Sequence, residues 1–378
     1  MGSLDLSQLQ QLWWLLVAVV GALFVFLMFV QGGQGLLLTI ARTETEKSLV
    51  VNSLGKKWEL TFTTLVLFGG AFFAAFPLFY STSFGGAYWV WMLILFTFIV
   101  QAVSYEYRKK PGNFLGAKVY ELFLFINGTV GVLLIGAAVG TFFTGSNFSL
   151  SDYNFVTWEH PGRGIEAAFN LFNLSFGIFM VFLARVLGAL YLNNNIEHDV
   201  LIERTRDAAF KNLLLLLPFL LYVLIQLLVM EGYAVDPATG TVFMEKGKYL
   251  NNLLAMPVNG LGFLLVGLVL VVWGVVATRF KASRKGIWFA GLGTVLVVLA
   301  VFSIAGYNNT AFYPSKFDLQ SSLTIANASS SHYTLTAMSY IALAIPFVLA
   351  YIWYVWSLLD KRKLTEEDIL VEGSDEKY

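Results

Sequence analysis

Residues 12–30, LWWLLVAVVGALFVFLMFV, form an unbroken apolar run that contains no charged side chain. A helix needs roughly 20 apolar residues to cross the hydrocarbon core of a bilayer, because each residue advances it by about 1.5 Å. The run therefore predicts a membrane-spanning helix. No basic residue precedes it, so we expect a retained anchor and not a cleaved signal peptide.

Eight further runs of similar length and composition follow the first. The whole chain of 378 residues is 57% hydrophobic and 13% charged, about half the charged share of a soluble domain. We therefore expect an all-α integral membrane protein, with residues 1–360 forming one transmembrane helical domain and residues 361–378 a polar, mobile cytoplasmic tail. The nine predicted spans lie near 12–30, 59–80, 87–105, 119–143, 169–191, 212–230, 257–278, 287–305 and 334–357.

The basic residues alternate from loop to loop. Of the 24 lysines and arginines, 19 fall in the odd-numbered loops and the segment after the last span, four fall on the other side, and Arg185 lies within a span. Basic residues are enriched in the cytoplasmic loops of membrane proteins. The pattern predicts an N-terminus outside the cell and a C-terminus in the cytoplasm.

Composition also excludes several kinds of chemistry. The chain has no cysteine, which removes disulfides, thiolate metal sites and cysteine nucleophiles. Its net charge is zero, which argues against a nucleic-acid partner. The three histidines, His160, His198 and His332, fall in predicted loops, so we expect no haem to be bound within the bundle by this chain alone. We therefore predict no catalytic residue, no metal site and no cofactor site in the chain itself.

Two acidic residues lie near the starts of predicted spans. Glu59 follows Lys56 and Lys57 at the start of the second span, and Glu121 lies near Lys118 in the fourth. Each is either a carboxylate that is stabilised by the helix dipole and nearby lysines, or a proton-relay group facing the bundle interior. The sequence leaves both interpretations open.

Two further polar features lie at membrane depth. In the run Gln31-Gly32-Gly33-Gln34-Gly35, the glycines suit close helix approach, local unwinding or a helix C-cap, and the amides of Gln31 and Gln34 could order water. Arg185 lies about two turns from the basic end of its span, where a side chain that extends to the interface is one explanation and a functional site is the other.

The stretch SSLTIANASSS at Ser321–Ser331, before the last span, closely resembles the signature before the final helix of subunit II of cytochrome bd-type ubiquinol oxidase. Its hydroxyl groups suit helix capping and hydrogen bonds to neighbours. The resemblance extends in order along nearly the whole chain. The other matching stretches are Asn52-Ser53, Trp58-Glu59, Gly69–Ala71, Phe73–Pro77 with Tyr80, Glu106–Arg108, Gly188-Ala189 with Tyr191-Leu192, and Thr365–Ile369.

The resemblance implies a respiratory heterodimer in the bacterial cytoplasmic (inner) membrane, in which a larger subunit I binds b- and d-type haems and quinol. The complex would oxidise quinol and reduce dioxygen to water. The present chain would be the non-haem subunit II, which supports assembly and supplies a proton or oxygen route. A small accessory membrane subunit and lipids are the further partners that we consider.

The proton-pathway candidates are Glu59, Glu121, Gln31 and Gln34. The best-studied branch of the family carries two aspartates where this chain has Gln31 and Gln34, and a glutamine cannot exchange a proton at neutral pH. This departure argues against a relay that enters through these positions.

Two other function classes compete with a proton-supplying subunit. A secondary transporter or channel would explain nine spans and buried carboxylates, but would have no reason to carry the collinear motifs. A purely structural assembly subunit would differ from the first reading only in what Glu59 does.

Overall fold

The structure of the chain is a computed structural model that describes residues 2–370. Within these residues, nine helical segments are long and apolar enough to cross a membrane, which confirms the predicted number. The first span continues about ten residues beyond its predicted end. The segments are Leu6–Ile40, Glu44–Ala75, Tyr88–Tyr107, Ala117–Thr144, Leu171–Asn195, Asp199–Val229, Pro257–Phe280, Gly286–Gly306 and His332–Leu359.

Several spans consist of more than one helix, and short strands lie between some of them. Three π-helical segments, Tyr80–Gly85, Asn127–Gly131 and Pro257–Gly262, adjoin the helices. The α-helices are α1 (Leu6–Leu27), α2 (Phe29–Ile40), α3 (Glu44–Gly55), α4 (Trp58–Ala75), α5 (Pro77–Phe79), α6 (Tyr88–Tyr107), α7 (Ala117–Ile126), α8 (Val132–Thr144), α9 (Leu171–Asn195), α10 (Asp199–Val229), α11 (Lys248–Ala255), α12 (Phe263–Phe280), α13 (Gly286–Gly306), α14 (His332–Ala342), α15 (Ile345–Leu359) and α16 (Glu366–Leu370). The strands are β1 (Phe148–Leu150), β2 (Val156–Trp158), β3 (Glu231–Val235), β4 (Val242–Lys246), β5 (Ala311–Tyr313) and β6 (Leu323–Thr324).

Helix α9 lies at the centre of the bundle, where it packs against α2, α8 and α10. Its contact with α2 depends on glycine. A Cβ atom at Gly32 would lie 1.6 Å from the carbonyl oxygen of Ala184, and one at Gly188 would lie 2.2 Å from the backbone nitrogen of Gly33. Backbone-to-backbone packing of this kind is typical of membrane helices with small residues at the interface. The glycines after Gln31 therefore serve close helix approach, and the C-cap interpretation is wrong because α2 continues to Ile40.

The odd-numbered loops and the segment after the ninth span meet at one end of the bundle, which we call the basic face. Ion pairs connect them there: Arg204 with Glu46 at 2.9 Å, and Lys57 with Asp360 at 3.1 Å. The alternation of the loops is therefore confirmed. The compartment that the basic face meets stays a prediction.

The even-numbered loops cover the opposite end with three small antiparallel sheets, β1–β2, β3–β4 and β5–β6. The serine-rich stretch Ser321–Ser331 connects these loops to the spans. Ser331 caps α14 by accepting a hydrogen bond from the backbone of Thr334 at 3.2 Å, as predicted, and the backbone N–H of Ser330 donates to the carbonyl of Ala75 at 2.8 Å. The signature thus fixes the ninth span against the second.

Residues 361–370 are docked on the basic face, so the expectation of a mobile tail is wrong for this part of it. The backbone N–H of Leu364 donates to Asn195 at 3.0 Å, and Leu364 accepts from Glu197 at 2.8 Å. His198 lies 3.0 Å from a carboxylate oxygen of Glu366. The rest of the predicted tail, 371–378, lies outside the described residues.

Candidate proton-pathway site

A stripe of polar side chains follows one face of α6 towards the basic face. Thr97, Gln101 and Tyr105 recur every four residues and Arg108 follows three later, so they share one side of the helix. All four are buried. The stripe extends over about 16 Å, roughly half of the hydrocarbon core. It connects the middle of the bundle with the charged loops, and we call it the polar stripe.

Both predicted glutamines contact this stripe. The amide nitrogen of Gln31 donates to the side-chain oxygen of Gln101 at 2.9 Å, and that of Gln34 donates to the Tyr105 hydroxyl at 2.9 Å. Gln31, Gln34 and Gln101 are fully buried. The structure therefore brings the two glutamines to one polar surface.

The hydrogen bonds of the amides are incomplete among the described residues. The side-chain oxygens of Gln31 and Gln34, the amide nitrogen of Gln101 and the side-chain oxygen of Asn127 are buried without a partner there. Buried polar atoms of this kind are commonly satisfied by ordered water. The stripe has the chemistry to order water, but its amides cannot take up and release protons at neutral pH.

Asn127 extends the stripe to its inner end. Its side-chain amide donates to the Thr97 hydroxyl at 3.2 Å. It begins the π-helical segment Asn127–Gly131, where a Cβ atom at Gly128 would lie 2.3 Å from the carbonyl oxygen of Gln31. The π-helical turn and this glycine bring the fourth span close enough to α2 for the amides to meet α6.

Glu121 closes the stripe at the basic face, in a cluster with Arg108, Lys47 and Glu44 that we call the charge clamp. Arg108 donates to one carboxylate oxygen of Glu121 from Nη2 at 2.8 Å and from Nε at 3.2 Å. Lys47 donates to the other oxygen at 2.9 Å and to Glu44 at 2.9 Å. Arg108 is 2% exposed and Glu121 is 1% exposed, so these charges are compensated almost entirely by one another.

The predicted partner of Glu121, Lys118, is exposed and makes no ion pair within residues 2–370, so that part of the interpretation is wrong. Buried Arg108 and half-buried Lys47 pair with Glu121, one on each carboxylate oxygen. The next lysine, Lys109, lies beside the clamp outside the spans; burial lowers its pKa, and the neighbouring Arg108 acts in the same direction. The charge clamp has a structural role, since its ion pairs join α3, the end of α6 and the start of α7.

Glu59 lies in the first turn of α4, as the sequence predicts, but its side chain is exposed. The interpretation that it faces the interior of this chain is therefore wrong. Within residues 2–370 it forms no ion pair, because Lys57 pairs with Asp360 instead. Glu59 is the candidate acid that another chain can reach.

The histidines lie away from the middle of the spans. His160 is in the loop after β2, His198 caps α10 by accepting from the backbone of Leu201 at 3.2 Å, and His332 begins α14. Among the described residues no three acidic or histidine side chains are grouped to hold a metal ion.

Sequence reasoning missed Gln101, Tyr105, Asn127, Arg108 and Lys47 as members of the site. The spacing of the polar residues on α6 was the available signal, because it places them on one side of a predicted helix. Lys47 offered no such signal, since its contact with Glu121 depends on how the first loop folds.

Comparisons with known proteins give matches that cover nearly the whole chain. The sequence model of the family described as cytochrome bd terminal oxidase subunit II matches residues 9–359. The chain is 27% identical to the cytochrome bd-I ubiquinol oxidase subunit 2 of Escherichia coli (strain K12), with 97% of this chain and 98% of the relative covered. It is 25% identical to the cytochrome bd ubiquinol oxidase subunit 2 of Bacillus subtilis (strain 168), with 95% and 97% covered.

The fold also matches a solved structure, that of bd oxidase from Geobacillus thermodenitrificans. The TM-score is 0.66 at 13% sequence identity, and the match covers 94% of this chain and 99% of that chain. At this identity the likeness concerns the fold alone.

Proposed function

Because the chain belongs to the cytochrome bd terminal oxidase subunit II family, it is a subunit of a membrane-bound quinol oxidase, and we propose that it presents Glu59 to a haem-binding subunit I as a proton-carrying group. The transporter or channel alternative has no support. The b- and d-type haems and the quinol are assigned by this proposal to subunit I. The histidines of this chain lie away from the middle of the spans and do not suit a haem in the bundle.

One observation carries the proposal for Glu59. Of the four candidates, Gln31 and Gln34 cannot exchange protons, and Glu121 is held between two cations. Among these four, only Glu59 combines an ionisable group with an exposed position, in the first turn of α4. Intramembrane carboxylates usually face a protein interior or a water-filled cavity, and a partner surface over α4 would provide that environment.

Quinol-driven oxygen uptake per haem tests this role. We expect Glu59→Gln to slow turnover by about tenfold or more, equivalent to roughly 1.4 kcal/mol of barrier, while haem content stays normal. Glu59→Asp keeps an ionisable group and should retain much of the activity. The matched control is Glu203→Gln, which removes an exposed carboxylate from α10 at the same face. An assembled Glu59→Gln oxidase at the wild-type rate would remove the relay and leave a structural subunit.

The predicted orientation is part of the same proposal. The basic loops share one face, and the positive-inside rule places that face in the bacterial cytoplasm. Reporter tags at Met1 and Tyr378 should then report opposite sides of the cytoplasmic membrane, with the Tyr378 tag inside. Tags on the same side would contradict the nine-span topology, and inverted tags would contradict the orientation alone.

The partnership with subunit I predicts a further result. In the most apolar 18 residues of the ninth span, only 11% are buried in this chain, against 78% in the fifth span. Much of the surface of the ninth span is therefore available to subunit I, to a small accessory subunit or to lipid. Deleting the chain should lower haem incorporation into subunit I, as measured by visible absorption after purification in mild detergent. A fully haem-loaded, active subunit I without this chain would contradict the assembly role.

A further inference from the structure

Arg185 lies within the fifth span among neutral groups. Its Nη2 donates to the Thr129 hydroxyl at 3.3 Å, and its guanidinium carbon lies 5.9 Å from the centre of the Phe125 ring. On the other side its Nε faces Gly35, where a Cβ atom would approach to 3.2 Å. Arg185 thus occupies the junction of α2, α9 and the fourth span.

The charge of Arg185 is not compensated within the described residues. It forms no ion pair there, and its buried Nε has no hydrogen-bond acceptor. An arginine within a membrane helix is unfavourable and is normally paired. One hydroxyl and one aromatic face do not replace a counter-ion. Residues 2–370 therefore provide no anionic partner for Arg185.

The depth of the Arg185 guanidinium in the membrane indicates the source of its counter-ion. Gly35 lies five residues before Ile40 on α2, a rise of about 7.5 Å. The carbonyl of Ile40 accepts a hydrogen bond from Arg204, a member of the basic face, at 3.1 Å. The guanidinium therefore lies about one and a half turns below the charged layer, within reach of a headgroup that sinks slightly, because long basic side chains extend towards the interface.

The surface above Arg185 suits a lipid. Lys118, Leu122 and Phe125 recur at spacings of four and three residues and so share one face of α7. Lys118 is exposed at the basic face, and Leu122 is 47% exposed below it. Leu38 of α2 is likewise 47% exposed. This surface therefore offers cations at two depths, Lys118 and Arg185, with exposed apolar residues between and beside them.

We propose that Arg185 and Lys118 form a binding site for one anionic phospholipid in the leaflet at the basic face. Arg185 and the Thr129 hydroxyl would bind the phosphodiester, and the exposed apolar residues would contact the acyl chains. A phosphodiester carries the charge and paired acceptor oxygens that a guanidinium binds well, whereas a neutral carbonyl would leave the arginine uncompensated.

Native mass spectrometry of the assembled oxidase, titrated with phosphatidylglycerol or with phosphatidylcholine, tests the site. We expect the wild type to hold one phosphatidylglycerol more tightly than phosphatidylcholine, and Arg185→Leu to weaken that binding by about tenfold or more. Lys281→Leu is the matched control, since it removes an exposed basic residue from the end of α12 at the same face. It should leave the tight lipid in place.

Further arms separate the other sources of an anion. Added inorganic phosphate should not displace the lipid; displacement would assign the site to free phosphate. Arg185→Lys should retain part of the selectivity, because it keeps the charge without the paired donors. The proposal fails if Arg185→Leu holds phosphatidylglycerol as the wild type does, or if the wild type shows no preference between the lipids. It also fails if Arg185→Leu releases a protein subunit, which would assign the counter-ion to a partner carboxylate.

Discussion

Glu121 and Glu59 each lie near the start of a span at the basic face, but the charge clamp buries Glu121 between Arg108 and Lys47, whereas the first turn of α4 exposes Glu59. The same residue type is used in opposite ways. A buried carboxylate between two cations holds helices together, because its charge is compensated on both oxygens. An exposed carboxylate adds little to the fold of its own chain and is available to a partner.

We expect the largest loss of stability from a substitution in the charge clamp. Glu121→Gln keeps the shape of the side chain but leaves Arg108 and Lys47 with one carboxylate, the largely exposed Glu44. Breaking a buried ion pair by removing one partner costs about 3–5 kcal/mol. We expect a marked loss of assembled oxidase and a lower midpoint of thermal unfolding, followed by haem absorbance. Glu59→Gln, the control from the other region, should change stability by about 1 kcal/mol or less.

A double variant sharpens this comparison. Arg108→Leu combined with Glu121→Leu removes one positive and one negative charge and leaves the Lys47–Glu44 pair in place. Replacing a buried pair with apolar residues is often close to neutral. The double variant should therefore be more stable than Glu121→Gln alone. If the double variant is less stable than Glu121→Gln, uncompensated charge in the clamp is not the reason why Glu121→Gln destabilises the protein.

The sequence contained enough information for the spans, because about 20 apolar residues and alternating basic loops are properties of the chain itself. It also placed Glu59 at a helix start. It could not show that Glu59 points outwards, because all sides of α4 are apolar and give no preferred direction. The burial of Arg108 was equally hidden: the residue directly follows an apolar run, and only the packing of α3 and α7 around it shows that it is buried.

Gln31 and Gln101 form a pair that is buried but neutral. We expect substitutions in this pair to lower stability by an intermediate amount. Gln31→Leu leaves the side chain of Gln101 without its partner at 2.9 Å, which costs about 1–3 kcal/mol in a buried site. Gln31→Leu combined with Gln101→Leu removes both polar groups and should recover most of that stability. Thermal unfolding of the three variants provides the comparison. Strictly additive losses would indicate that Gln31 and Gln101 each depend on other partners, such as ordered water.

The smallest expected effect concerns the docked segment 361–370 on the basic face. The backbone N–H and the hydroxyl of Thr365 both donate to Asp368, at 2.9 and 2.8 Å, in the manner of a helix cap. These hydrogen bonds, the backbone one first, lower the pKa of Asp368 below its ordinary value of 3.8. An acid with a lowered pKa stabilises the folded state fully above its unfolded value, and the contribution disappears as the pH falls through the lowered one.

Docking through Asp368 should therefore be constant from pH 8 to about pH 5 and weaken only below about pH 4. At neutral pH, Asp368→Ala should release the segment by about 1 kcal/mol, so that trypsin cleaves after Lys361–Lys363 about fivefold faster, while Asp368→Asn keeps an acceptor and should cleave more slowly than the alanine variant. Release of the wild-type segment between pH 7 and 5.5 would contradict this role, because the lowered pKa of Asp368 keeps its carboxylate charged in that range. Asp368 would then be a minor contact, and the docked segment would depend on its other contacts, such as the backbone hydrogen bonds of Leu364 with Asn195 and Glu197.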